Sequence, residues 1–187
     1  MGNKKGEMGV GVLIVFIAML LVAAIAAGVL ITTITSLQQK ALSTGAETKG
    51  EISTHVSVVE VTAEDGSDGD FENVTTLIKL SAGSDPVNLT NTLVSLGLND
   101  GTANYRWCPG QAASTSCFDL TYEVSGPEQA NGFLNRGDVV ALTLIPTRNI
   151  GTDEAVRITY IPKVGTQSVV EFRTPSVISR QLMTVFP

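Results

Sequence analysis

Few residues in this chain have the types and spacing that catalysis requires. Its 187 residues include one histidine, His55, which lies in an alternating apolar run typical of a β-strand. Gly9 and Gly11 resemble the start of a dinucleotide-binding fingerprint, but no strand precedes them and Ile14 replaces the third glycine. The sequence contains no nucleophile elbow, zinc-protease motif or phosphate loop. We therefore expect a protein that is not an enzyme.

An acidic run at residues 64–70 is the main candidate for binding a cation. Asp65, Asp68 and Asp70 place carboxylate oxygens, the ligands that Ca²⁺ prefers, in a glycine-containing loop. The run is not an EF-hand, because Thr76 occupies the position where the twelfth-residue glutamate belongs. We interpret the run as a solvated loop, with a structural calcium site as the alternative, and expect no other cofactor.

The two cysteines, Cys108 and Cys117, flank a short polar segment. An even cysteine count around such a loop favours a disulfide in an extracellular protein over two free thiols. A metal site is disfavoured, because four ligands are needed and His55 is distant in sequence. Two N-glycosylation sequons, at Asn73 and Asn88, occur at the frequency expected by chance.

The charged residues are distributed unevenly along the chain, and this distribution predicts a long apolar helix near the N-terminus. There are 12 Lys+Arg against 18 Asp+Glu, a net charge of −6 and a pI of about 4.7, so we expect no nucleic-acid partner. No ionisable side chain occurs between Glu7 and Lys40. At ~1.5 Å per residue, the apolar stretch 8–31 forms a helix of about 36 Å, enough to cross a bilayer core.

Three interpretations fit this apolar segment: a secretory signal peptide cut after Ala26, a permanent membrane anchor, and an assembly helix that is processed at its N-terminus. Lys4 and Lys5 before the apolar core suit the signal peptide. The helical pattern, however, continues past the small-residue cleavage site to Leu42, whereas a cleavable apolar region is normally shorter.

The residues around Gly6 distinguish among these interpretations. The run Lys4-Lys5-Gly6-Glu7-Met8-Gly9, followed by the continuous apolar segment, resembles the start of an archaellin, the archaeal flagellin. The resemblance implies that residues 1–6 are a leader recognised through Lys4, Lys5 and Gly9. A prepilin-type peptidase would cut this leader between Gly6 and Glu7. Gly11 occupies the fifth mature position, where bacterial type IV pilins typically have glutamate, which favours an archaellin.

The resemblance also implies a function. Residues 7–52 would be a polymerisation helix, and the subunit would form a homo- or hetero-polymer with other archaellins. The extracellular archaellum filament so formed would be rotated by a membrane motor complex for swimming, and the precursor would reside in the cytoplasmic membrane. Archaellins commonly carry N-glycans, which makes Asn73 and Asn88 candidate acceptors, and some archaellin outer domains bind a divalent cation.

Small residues in the apolar segment could permit close helix packing. Ala23 and Ala27, and Ala24 and Gly28, form small-xxx-small pairs that allow two helices to approach closely. The alternative is the ordinary composition of a transmembrane helix.

After residue 52 the sequence changes to the alternation typical of strands, with turn-rich spacers between the runs. The predicted strands are 55–62, 74–80, 88–96, 118–124, 139–145, 156–161, 168–172 and 177–186. Together they predict an α+β chain: a long hydrophobic N-terminal helix followed by an immunoglobulin-like antiparallel sandwich over residues 53–187. A barrel is the alternative.

Two other functions fit the same elements. An adhesive archaeal type IV pilin would share the leader and helix but serve attachment. A membrane-tethered β-sandwich binding module would use the helix only as an anchor and would never polymerise.

Overall fold

The computed structural model describes residues 4–65 and 68–187, and only the backbone at residues 4–7 and 65. The chain forms two compact units, with the boundary between Glu47 and Thr48.

A single α-helix, α1 (Lys4–Ser53), begins within the predicted leader and ends one residue after the predicted end. Thr32, Thr33 and Thr35 lower helix propensity, but each hydroxyl donates a hydrogen bond to a carbonyl three or four residues earlier, at 2.8–2.9 Å. These local bonds satisfy the side chains within the helix, so it continues where composition alone predicts weakness.

Eleven strands follow among the described residues. They are β1 (Val56–Asp65), β2 (Phe71–Leu80), β3 (Val87–Asn88), β4 (Leu93–Leu98), β5 (Gly101–Trp107), β6 (Cys117–Val124), β7 (Phe133–Leu134), β8 (Val139–Leu144), β9 (Ala155–Ile161), β10 (Ser168–Arg173) and β11 (Leu182–Phe186). A 3₁₀ turn, Leu89–Asn91, separates β3 from β4.

Nine of these strands form a sheet with the order β10-β9-β4-β5-β6-β8-β2-β1-β11, which folds into a sandwich. We call β10-β9-β4-β5 layer one and β6-β8-β2-β1-β11 layer two. The inward side chains of both layers share one core, which includes fully buried Val61, Phe71, Tyr105 and Ile158. The Tyr105 hydroxyl donates to the carbonyl of Ile145 at 2.9 Å, which joins layer one to the segment after β8.

The strand pattern differs from the prediction mainly at four places. The run 88–96 is interrupted because the Asn88 side chain accepts a hydrogen bond from the Thr90 amide at 2.9 Å, which favours a turn. Strands β5 and β7 lie where none was predicted, and the last strand begins at Leu182 instead of residue 177.

The sandwich is antiparallel between its named strands except where the layers meet. There β5 and β6 run parallel over two residue pairs, Arg106 with Cys117 and Trp107 with Phe118. This departs from the purely antiparallel prediction, because the loop at 108–116 carries the chain back before β6 begins in layer two.

Candidate assembly helix and sites of the outer domain

No residue in the apolar part of α1 is buried in the isolated chain. Every residue from 8 to 49 is exposed, including Phe16 at 58% and Leu20 at 54%. The helix is long and apolar enough to cross a membrane by length and composition. A helix that is apolar on all sides needs lipid or other helices around it.

The four predicted packing residues lie on the open surface of α1. Ala23 and Ala27, and Ala24 and Gly28, are each four residues apart and so occupy neighbouring positions along the helix. A Cβ placed on Gly28 would meet nothing within 4 Å. The surface beside these residues is therefore free for a second helix, and their packing role stays a prediction.

The proposed cleavage point lies within helical backbone. Residues 1–3 of the predicted leader lie outside the described residues, and the side chains of Lys4, Lys5 and Glu7 are not described. Gly9 is helical, and a Cβ there would meet nothing within 4 Å. Cleavage between Gly6 and Glu7 stays a prediction.

A hydrogen-bonded cluster holds the junction between the end of α1 and β1. The buried Ser84 hydroxyl lies 3.0 Å from the His55 amide, which donates to it, and 3.1 Å from the Ser53 carbonyl. The Thr166 amide donates to the Thr54 carbonyl at 2.9 Å. Gly165, with φ of +114°, is required here, because a Cβ would lie 2.7 Å from that same Thr54 oxygen.

The sequence contained no signal for this cluster. Its members come from three separate segments, and an isolated serine or glycine in a loop is common. Only the pairing of distant strands brings them together.

Cys108 and Cys117 form a disulfide, with their Cα atoms 5.6 Å apart. The bridge closes the loop through which the chain passes from layer one to layer two. Within the loop, the Ser114 amide donates to the Cys117 carbonyl at 2.8 Å. The disulfide thus links layer one to layer two beside the short parallel pairing of β5 with β6.

An ion-pair cluster joins two turns at one end of the sandwich. The Arg148 guanidinium donates to both oxygens of Asp100 at 2.7 Å and to the buried Glu154 carboxylate. The hydrogen bond from Arg148 lowers the pKa of Glu154 and also that of Asp100, and these bonds raise the pKa of Arg148. The cluster is structural, because each charge is paired within it.

The remaining predicted sites lie on the sandwich. Residues 66 and 67 of the acidic run, and the side chain of Asp65, lie outside the described part of the chain. Within that part, no group of three or more metal-binding side chains occurs. Asn73 is half-buried on β2, 3.4 Å from a Glu64 oxygen, and Asn88 is half-buried in its turn. Glycosylation at either residue stays a prediction.

An apolar helix without a buried residue from 8 to 49, followed by a β-sandwich with its own core, defines a class of protein whose helix is surrounded by lipid or by other helices. Comparison with known proteins identifies the family. The family model described as archaeal-type flagellin matches residues 6–172, and the chain belongs to this family. It is therefore a structural subunit of the archaellum filament and not an enzyme.

Relatives match along nearly their whole length. Flagellin B4 of Pyrococcus abyssi is 31% identical, covering 98% of this chain and 99% of the relative. Flagellin B1 of Methanocaldococcus jannaschii is 31% identical, covering 97% of this chain and 95% of the relative.

Solved structures share the fold. The archaeal flagellum of Methanospirillum hungatei strain JF1 matches with a TM-score of 0.70 and 16% identity, covering 96% of this chain and 99% of that chain. The crystal structure of an archaeal flagellin from Methanocaldococcus jannaschii matches with a TM-score of 0.64 and 19% identity, covering 71% of this chain and 97% of that chain. The predicted architecture of helix plus sandwich is thus confirmed.

Proposed function

We propose that the chain is made as a membrane precursor, cut between Gly6 and Glu7 by a prepilin-type peptidase, and assembled through α1 into the core of an extracellular filament. A membrane motor complex turns this filament for swimming. The observation that carries the proposal is that no residue of the apolar helix from Met8 to Ile31 is buried in the isolated chain.

Energetics support assembly through the helix. Fully burying one Val, Leu, Ile, Met or Phe side chain is worth roughly 1.5–3 kcal/mol, so water is an unfavourable environment for α1. Transfer from lipid to a bundle of helices gains little hydrophobic free energy, because lipid tails are as apolar as leucine. Close packing must then favour the bundle, and the small residues Ala23 to Gly28 allow it.

Cleavage also changes the charge of the subunit. Removal of Lys4 and Lys5 changes the net charge from −6 to −8. It also removes the two cations that precede the apolar core. The mature helix then starts with one carboxylate, Glu7, followed by apolar residues that bilayer and filament core can both surround.

The experiment is the N-terminal sequence and intact mass of protein from sheared, pelleted cell-surface filaments, measured with and without reductant. A start at Glu7 supports the proposal, and the mass reports the disulfide and any glycan at Asn73 or Asn88. A start at Ala27 would remove the filament core and overturn it. Retention of residues 1–6 in membranes, with no protein in the pellet, would indicate a tethered module instead.

A further inference from the structure

The two outer faces of the sandwich carry opposite charge. On layer one, the strand register places Arg106, Arg157, Arg173 and Glu171 on the outward face, a net charge of +2 in an acidic chain. Three exposed apolar residues, Leu93, Ile161 and Val169, lie on the same face. Leu93 pairs directly with Ile161, so the apolar residues lie on adjacent strands.

Layer two has the reverse pattern. Its register places Glu60, Glu64 and Asp119 outward with one cation, Lys79, a net charge of −2. The rest of this face includes several threonines, and the exposed apolar residues on its strands are Val59, Val124 and Leu182. The outward face of layer two is therefore acidic where that of layer one is basic, and each face carries a few exposed apolar residues.

Part of this charge has no partner within the chain. Arg157 pairs with Glu171 at 2.6 Å, and Arg173 pairs with Asp153 of a neighbouring turn at 2.8 Å. Among the described residues, Arg106 forms no ion pair, and neither do Glu60, Glu64 and Asp119. The carboxylates of Glu60 and Glu64 accept hydrogen bonds from Thr184 and Asn73, which leaves their charge uncompensated.

We propose that layer one of each subunit packs on layer two of a neighbouring copy in the filament. The two faces lie on opposite sides of one sandwich and cannot meet within a chain. Contact between two different faces is heterologous, and repeating it gives an open helical polymer wherever the rotation between copies does not close a ring. This inference rests on the polymerisation proposed above and adds a second contact surface to the helix.

The charges of the two faces favour a neighbouring copy of the chain as the binding partner. Subunits with a net charge of −8 repel one another when their acidic surfaces meet, whereas a basic face on an acidic face attracts and fixes the orientation. Burial of Leu93, Ile161 and Val169 would add to the contact. Asn73 lies beside Glu64 near the end of layer two, so a glycan there would stand at the rim of the contact.

The test inverts the charge of each face in full-length filaments. Variant one, R106E with R173E, makes layer one negative. Variant two, E60K with D119K, makes layer two positive. A third chain carries all four changes and restores opposite faces with unchanged net charge. R136E with R180E, and E128K with D85K, match the charge changes outside both faces.

Each outcome has a defined reading. We expect variants one and two to lower the temperature at which half of the pelleted filament dissociates, the four-fold variant to recover most of that loss, and the matched controls to behave as wild type. Unchanged single-face variants, or equal loss in all three chains, would overturn the facing of the two layers. Wild-type chains that form no filament would instead refute helix-mediated polymerisation.

A cross-link provides a second measurement that does not depend on stability. T159C on layer one and T121C on layer two place thiols on the outward faces. Together in one chain, and bridged by a bifunctional maleimide, they should produce a ladder of multimers. Either single variant should stay monomeric. Dimers from T159C alone would show that layer one packs on itself and would overturn the inference.

Discussion

The helix and the sandwich differ in where their apolar side chains are shielded from water. In the sandwich, both layers turn their apolar residues inward, and Val61, Tyr105 and Ile158 are fully buried within one chain. In α1, residues 8–49 are all exposed, although many of them are as apolar as the sandwich core. The sandwich is complete by itself, whereas the helix depends on its surroundings.

This difference separates folding from assembly. The backbone of α1 is satisfied by its own hydrogen bonds, so the helix can stay intact in lipid and in a helical bundle. Its apolar side chains find no partners within the chain and need lipid or neighbouring helices, which the proposed polymer would supply. Substitutions in α1 should therefore change assembly, and substitutions inside the sandwich should change the stability of a subunit.

The largest expected effect is the loss of filaments when Leu20 is replaced by lysine. A charge near the middle of the apolar segment would lack a partner among packed helices, and even in a bilayer it costs about 2.5–3.5 kcal/mol. Electron microscopy of sheared material should show no filaments. Q39K places the same side chain in the polar part of α1 and should assemble. Normal filaments from L20K would contradict a helical core.

Within the sandwich, the largest effect should come from G165A. The new Cβ would lie 2.7 Å from the Thr54 carbonyl oxygen, against backbone that cannot move freely. Gly83 also has a positive φ, +86°, but a Cβ there would meet nothing within 4 Å. G83A should therefore lower the free energy of unfolding by only the conformational cost, about 1–2 kcal/mol. G165A should lower it clearly more, because the steric contact is added.

The chain contains one tryptophan, Trp107, whose fluorescence can report unfolding of full-length subunits in detergent. Trp107 is half-buried at the end of β5. Equal unfolding midpoints for G165A and G83A would show that the contact with Thr54 is unimportant.

The difference between helix and sandwich also explains which elements could be predicted from the sequence. The apolar helix is a local property, so its existence and approximate end could be predicted from composition. Strand β9 alternates exposed and buried residues throughout, and β1 is rich in β-branched valines, so both could be predicted as well. Strand β5 was missed because it begins at Gly101, directly after Asn99 and Asp100 in a turn-rich stretch, and its inward residues include small Ala103, which leaves only a short apolar signal.

Features that depend on distant pairing could not be predicted. Thr54 and Thr166 are 112 positions apart, yet they share a hydrogen bond beside Gly165. Likewise, the opposite charge of the two faces appears only when strand order is known, because Arg106 and Arg157 belong to separate strands on either side of β4. Local patterns contain no information on such neighbours.

The disulfide should have a moderate effect confined to the sandwich. Replacing Cys108 and Cys117 with serine removes a short loop constraint worth roughly 2–3 kcal/mol in the chain-entropy model. The denaturant midpoint of Trp107 fluorescence should fall, while filaments still form under mild conditions. S114A, within the same loop, keeps the disulfide and serves as the control. An unchanged midpoint would show that the loop retains its structure without the bridge.

The smallest predicted effect is the pH dependence of the Arg148 cluster. Because Arg148 lowers the folded-state pKa of Glu154, the ion pair stabilises the sandwich fully above the unfolded-state pKa, about 4.3. The stabilisation is lost as pH falls through the lowered folded-state pKa. E154Q should reduce stability by about 1 kcal/mol at pH 7 and show a shallower loss below pH ~5. E171Q removes the exposed pair with Arg157 and should change stability less. Parallel acid unfolding curves for E154Q and wild type would show that Glu154 does not carry the pH dependence.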